Sequence, residues 1–208
     1  MARRLRTAPR KKPTQGRSLA TVDAILDATA RVLCKTGYDR ASTNRIALAA
    51  GVSVGSLYQY FPSKEALVAA LAGRHMTQMT TLVRAKLAEV AHEPIPVAVR
   101  TMIAAMFEAH AVDPALHKVL IEQVPRVGRL ENLHAMESET EALVALLLEA
   151  RKGELRRTPV ATVATIAFVL VHAVEAVTHA SVLAELEPAR AASVAEELTD
   201  LVLRYLVP

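Results

Sequence analysis

The chain has 208 residues, 52% of them hydrophobic but only 3% aromatic, with 7 Gly and 10 Pro, and this apolar content excludes a disordered or low-complexity protein. The single cysteine, Cys34, excludes an intrachain disulfide and a thiolate zinc cluster, so a reducing cytoplasm is the expected location. The formal net charge of +4 is unevenly spread: Arg3, Arg4, Arg6, Arg10, Lys11, Lys12 and Arg17 all precede the first acid, Asp23, which points to a polyanion partner.

Residues 1–17 read as a flexible basic arm, with Pro9, Pro13 and Gly16 interrupting any helix. No apolar stretch follows the basic residues directly, as a signal peptide would need. From Ser18 onward, Val22, Ile25, Leu26, Thr29, Val32 and Leu33 recur at helical spacing, and Gly37 is suited to end that helix. Cys34 is expected there as a small buried filler. Ser42 or Thr43 can cap a second helix to Ala50, Gly51 permits a sharp turn, and Ser53 caps a third helix to about Tyr60. Pro62 or Ser63 opens a much longer fourth helix to about Val90, ahead of Pro94 and Pro96. Further helices are predicted over 96–112, 114–124, about 130–151, 160–183 and 188–206, with no internal repeat. Glycine-rich turns at strand spacing are absent, so the fold class is all-α.

The stretch 160–177 is apolar around nearly its whole circumference. A spanning helix needs about 20 apolar residues, and here Thr162, Thr165, His172 and Glu175 interrupt the run. A charged Glu at membrane depth costs a few kcal/mol or more. The expectation is therefore a soluble helix covered by its own domain and by a second copy of the chain, with no membrane partner.

The segment from Thr43 to Lys64 carries the chemistry. Ala47, Gly51 and Leu57 have helix-turn-helix spacing. Ala47 is small where two helices cross, Gly51 can take a positive φ in the turn, and Leu57 faces inward with Ile46 and Val52. With Leu57-Tyr-Gln-Tyr-Phe-Pro-Ser-Lys-Glu-Ala-Leu67, residues 18–65 resemble the DNA-binding domain of the tetracycline-repressor (TetR) family. The resemblance implies a helix-turn-helix domain over 18–65, a helical effector-binding and dimerisation domain over 66–208, and a homodimeric, ligand-responsive transcription regulator, usually a repressor.

Within that motif the residue chemistry suggests separate tasks. Thr43 at the start of the second helix can hold a phosphate. Asn44 and Arg45 lie on its outer side, where Arg45 can reach phosphate or a guanine edge. Ser53, Val54, Gly55 and Ser56 open the recognition helix: Gly55 allows close approach, Val54 can meet a thymine methyl, and Ser56 can bond a base or phosphate. Tyr58 and Tyr60 offer hydroxyls to the sugar-phosphate backbone, or pack in a small core. Lys64 adds charge beside the same phosphates. Phe61 is expected in the core.

The C-terminal two helices are expected to build a homodimer, with Val194, Leu198, Leu201, Val202 and Tyr205 as an apolar stripe on the last. Val99, Met102, Met106 and His110 share a helical face, and Met102, Met106 and His110 are the candidate effector-binding residues. His172, Glu175 and His179 also share a face but read as an interface network, so no metal and no cofactor are assigned. No nucleophile elbow, phosphate-binding glycine loop or zinc-protease motif supports an enzyme. The partners expected are a double-stranded DNA operator, a second copy of the chain and a small apolar effector. The alternative is a DNA-binding silencer or architectural protein without an effector.

Overall fold

The computed structural model describes residues 16–123, 131–156 and 162–208. The expected basic arm up to residue 15 lies outside the described residues. Among those described there are nine α-helices and no strand, as the all-α reading required: α1 (Gly16–Arg40), α2 (Thr43–Ala50), α3 (Val54–Tyr60), α4 (Lys64–Glu89), α5 (Ile95–His110), α6 (Pro114–Gln123), α7 (Glu131–Ala150), α8 (Val163–Leu183) and α9 (Pro188–Leu206).

Helix α1 starts at Gly16, so Gly16 and Arg17 belong to it rather than to the arm. Gly37 interrupts it with φ 73° and ψ 169°, a backbone that L side chains resist, and the chain turns there before Tyr38–Arg40. Cys34 is exposed, contrary to the expected buried filler. It falls about 100° round the helix from buried Leu33 and joins the exposed row of Asp27, Arg31 and Lys35.

Packing divides the described residues into two units, drawn from Met1–Met76 with Ala115–Leu130 and from Thr77–Pro114 with Glu131–Pro208. The core of the first unit brings Ile25, Leu26 and Leu33 of α1 together with Ile46 and Ala47 of α2, Leu57 of α3, and Phe61. Leu67 and Leu71 of α4 and Leu116 and Leu120 of α6 complete it. Full burial of a side chain such as Leu57 stabilises the fold by roughly 1.5–3 kcal/mol. The expected core positions Phe61, Ile46, Ala47 and Leu57 are all at most 2% exposed.

The second unit packs α5 and α7 against α8, and α5 against α9. Its core holds Ile95, Ile103, Leu148, Ile166, Ala167, Leu198, Val202 and Leu206. Arg151, just after α7, ties the loop ahead of α5 by donating to the carbonyls of Glu93 (2.9 Å) and Ala91. Glu154 accepts a hydrogen bond from the Ile95 amide at 3.0 Å, satisfying a donor at the start of α5.

By length and composition α8 is apolar enough to cross a membrane, with a mean hydropathy of 1.8. It packs against three helices of its unit and buries Ile166, Ala167, Thr178 and Ser181. Phe168 and Val169 stay about half exposed, at 53% and 48%. The apolar stripe on α9 divides in two: Leu198 and Val202 turn into the unit's own core, whereas Leu201 and Tyr205 face outward.

Candidate nucleic-acid interface

Three short-range devices set the geometry of α2 and α3. Ser42 caps α2, its hydroxyl accepting from the Arg45 amide at 3.3 Å. Gly51 ends α2 in the left-handed region at φ 68°, and its amide donates back to Ala47 and Leu48. Ser53 caps α3, accepting from the Ser56 amide at 3.0 Å while its hydroxyl shares a 2.8 Å hydrogen bond with that of Ser56. A serine cap of this kind stabilises a helix by about 1 kcal/mol. Beneath the turn, Ala47 lets α2 approach α3, and Leu57 is fully buried.

The outward surface is small and polar. Ser53, Val54 and Gly55 are exposed on the first turn of α3, and Ser56 is partly so. Beyond Gly55's chain neighbours and its own helix's backbone, the Ser53 hydroxyl, 3.9 Å from where a Cβ would stand, is the nearest heavy atom. Asn44 and Arg45 are exposed on α2. The Tyr58 hydroxyl and Thr43 Oγ1 share a 3.1 Å hydrogen bond, joining the last turn of α3 to the first residue of α2.

Three further predicted site residues are also engaged within the first unit. Arg45 donates to the Arg40 carbonyl at 2.9 Å. Tyr60 is partly buried, packs on the core, and shares a 3.3 Å hydrogen bond with the Ser18 hydroxyl. Lys64 donates to the Tyr38 carbonyl at 2.9 Å, with its ammonium 4.0 Å from the centre of the Tyr38 ring.

Tyr38 itself escaped the sequence reading. Its hydroxyl donates to Glu65 Oε1 at 3.1 Å. Burial first, and then the neighbouring Glu65 carboxylate, push its pKa up to about 12. For Glu65, burial acts upward, but hydrogen bonds from its own amide, Ser63 and Tyr38, with the Lys64 charge, hold it below the ordinary carboxylate value. Twenty-six residues separate Tyr38 from Lys64. No periodicity links such positions; the only local sign is an aromatic directly after the Gly37 turn.

In the second unit, the effector candidates Met102 and Met106 are partly buried, and His110 is 3% exposed. The predicted His172, Glu175 and His179 set separates. His172 meets Glu141 of α7 at 3.1 Å and Glu175 at 3.8 Å, whereas the His179 ring lies against His110.

A small helix crossing a second at a left-handed glycine, with its first turn open and its underside buried, defines a helix-turn-helix protein. The family of bacterial regulatory proteins of the tetR type matches residues 25–71, and the tetracyclin repressor-like C-terminal domain matches residues 94–206. The chain belongs to the TetR family.

Among curated relatives, the HTH-type transcriptional repressor KstR of Mycobacterium tuberculosis is 42% identical over 55 residues, covering 26% of this chain and 25% of that protein. The chain thus spans about a quarter of the length of the curated relatives it matches first. The fold is shared with the fatty acid degradation regulator FadR of Bacillus halodurans (TM-score 0.70, 20% identity, 92% of this chain and 97% of that one). It is also shared with SmeT, the repressor of the Stenotrophomonas maltophilia multidrug efflux pump SmeDEF, in its triclosan complex (TM-score 0.67, 22% identity, 91% and 92%).

Proposed function

We propose that this chain is a cytoplasmic, homodimeric transcription repressor that releases its operator when a small apolar ligand binds. The observation that carries the reading is the exposed first turn of α3, Val54 with Ser53 and Ser56, held over a buried Leu57. A helix presented in this way can enter the major groove by its N-terminal end. Val54 and Ser56 are assigned to base edges, Gly55 to close approach, and Thr43, Asn44, Ser53 and Tyr58 to phosphates. Arg45 is assigned to phosphate or guanine after leaving the Arg40 carbonyl. Tyr60 and Lys64 are assigned to holding the reading unit together from its edge. The basic arm adds sequence-independent phosphate attraction. The functional division of the chain is taken as 18–65 for reading and 66–208 for dimerisation and effector binding.

The outward apolar side chains of α8 and α9, Phe168, Val169, Leu201 and Tyr205, support a dimer through these two helices. Met102, Met106 and His110 are assigned to the effector, in keeping with one structural neighbour in complex with triclosan and another named for fatty acid degradation. A silencer without effector finds no comparable support. The test is selection of bound fragments from genomic DNA, followed by displacement with apolar metabolite fractions. Enrichment of an inverted repeat that one fraction releases is the expected result. A bound sequence that no fraction releases removes the effector, and no enrichment removes the operator.

A further inference from the structure

Two histidines of the second unit approach each other from α5 and α8. The His110 and His179 ring centres lie 5.0 Å apart, tilted by 58°. A ring nitrogen of each lies within 4.8 Å of one on the other. His110 is 3% exposed and His179 is half-buried. The His110 Nδ1 lies 2.7 Å from the Met106 carbonyl oxygen. A carbonyl only accepts, so Nδ1 carries the proton, and in the neutral form of the ring Nε2 is the nitrogen with the lone pair. A backbone carbonyl holding one ring nitrogen in this way fixes the tautomer and orientation of a metal-ligating histidine.

We propose that His110 and His179 form a bis-imidazole site for a divalent first-row transition metal ion such as zinc. Imidazole nitrogens suit these ions, whereas magnesium and calcium require oxygen ligands. Among the described residues of the second unit this group holds two histidines, fewer ligands than resident zinc centres have, so binding is reversible and follows the free ion concentration. The competing group on α8 is His172, but both of its ring nitrogens face carboxylates, Glu141 and Glu175, in an ion-pair arrangement. That group serves as the control. The inference does not depend on the DNA-binding reading.

The experiment is calorimetric titration of the untagged full chain with zinc chloride, with magnesium chloride alongside. The expected result is saturable binding of one zinc ion per chain and none of magnesium. His179→Ala, a half-buried position, loses the zinc binding, and His172→Ala retains it. His110→Gln gives the same loss where circular dichroism shows it folded, and His179→Ala decides the matter where it does not. The proposal is overturned if the parent chain shows no saturable zinc binding, if His179→Ala binds like the parent, or if His172→Ala removes the binding.

Discussion

The Lys64 ammonium donates to the Tyr38 carbonyl at 2.9 Å while resting 4.0 Å from the centre of the same tyrosine's ring. One cation thus satisfies a carbonyl in the last turn of α1 and uses the negative face of an aromatic, from the first residue of α4. Lys64→Met keeps the aliphatic stem and removes the charge. The expected outcome is a lower urea midpoint and weaker operator binding, with an unchanged slope of log K against log salt. A slope shallower by about 0.9 in a fluorescence anisotropy titration would return Lys64 to a phosphate.

Burial of the Tyr38 phenol, beside the Glu65 carboxylate, makes stability sensitive to alkali. Tyr38 has a pKa of about 12 in the folded chain against 10.0 ordinarily. Below pH 10 both states keep the phenol protonated and the contribution is complete. Between pH 10 and about 12 the unfolded chain loses that proton while the folded chain retains it, so stability falls as pH rises. Tyr38→Phe is expected to flatten this part of the stability–pH profile, measured by urea unfolding. A profile as steep as the parent's would place the effect on another group.

Reading and positioning should separate on α2 and α3. Tyr58→Phe removes the hydroxyl shared with Thr43 and is expected to weaken binding to all sequences alike. Substitutions at Val54 or Ser56 are expected to change base preference, with about 1–3 kcal/mol at stake for a good base contact. Binding to a randomised operator library distinguishes the two. The assignment fails if Tyr58→Phe alters the preferred sequence and Val54 substitutions do not.

Gly51 meets nothing within 4 Å of where a Cβ would stand, so its requirement is conformational and not steric crowding. At φ +68°, Gly51→Ala is expected to cost about 1–2 kcal/mol in urea unfolding, with little change in operator preference. A cost near zero would mean the turn relaxes out of the left-handed region.

The outward residues of the last two helices predict the oligomeric state. Phe168→Glu combined with Leu201→Glu places charges at positions 53% and 63% exposed, so the unit's own core is spared. The expected product is a folded monomer by sedimentation that has lost tight binding to an inverted repeat. A double variant that remains a dimer moves the interface to another face.

Much of the local structure was legible because its causes are local. Ser42 and Ser53 act as caps three residues from the amides they bind, and Gly51 is marked by the backbone only glycine adopts easily. Leu57 is readable as core from its helix-turn-helix spacing, and Phe61, in extended backbone just past α3, from its large apolar side chain. Cys34 misled because its apolar character favoured burial, whereas its angular position on α1 decides exposure. The α9 stripe misled similarly: one run of apolar residues serves two faces, Leu198 and Val202 inward and Leu201 outward.

The sequence by itself determined the helices, their caps, the left-handed turn at Gly51 and the family, because each depends on residues within a turn or two of one another. Tertiary structure alone decided which polar groups meet. Lys64 and Glu65 converge on Tyr38, His172 turns to Glu141 of another helix, and His179 stands against His110. Those pairings depend on how helices far apart in the chain pack. A side chain's partner across such a gap is set by helix crossing and rotation, for which residue spacing along one helix carries no signal.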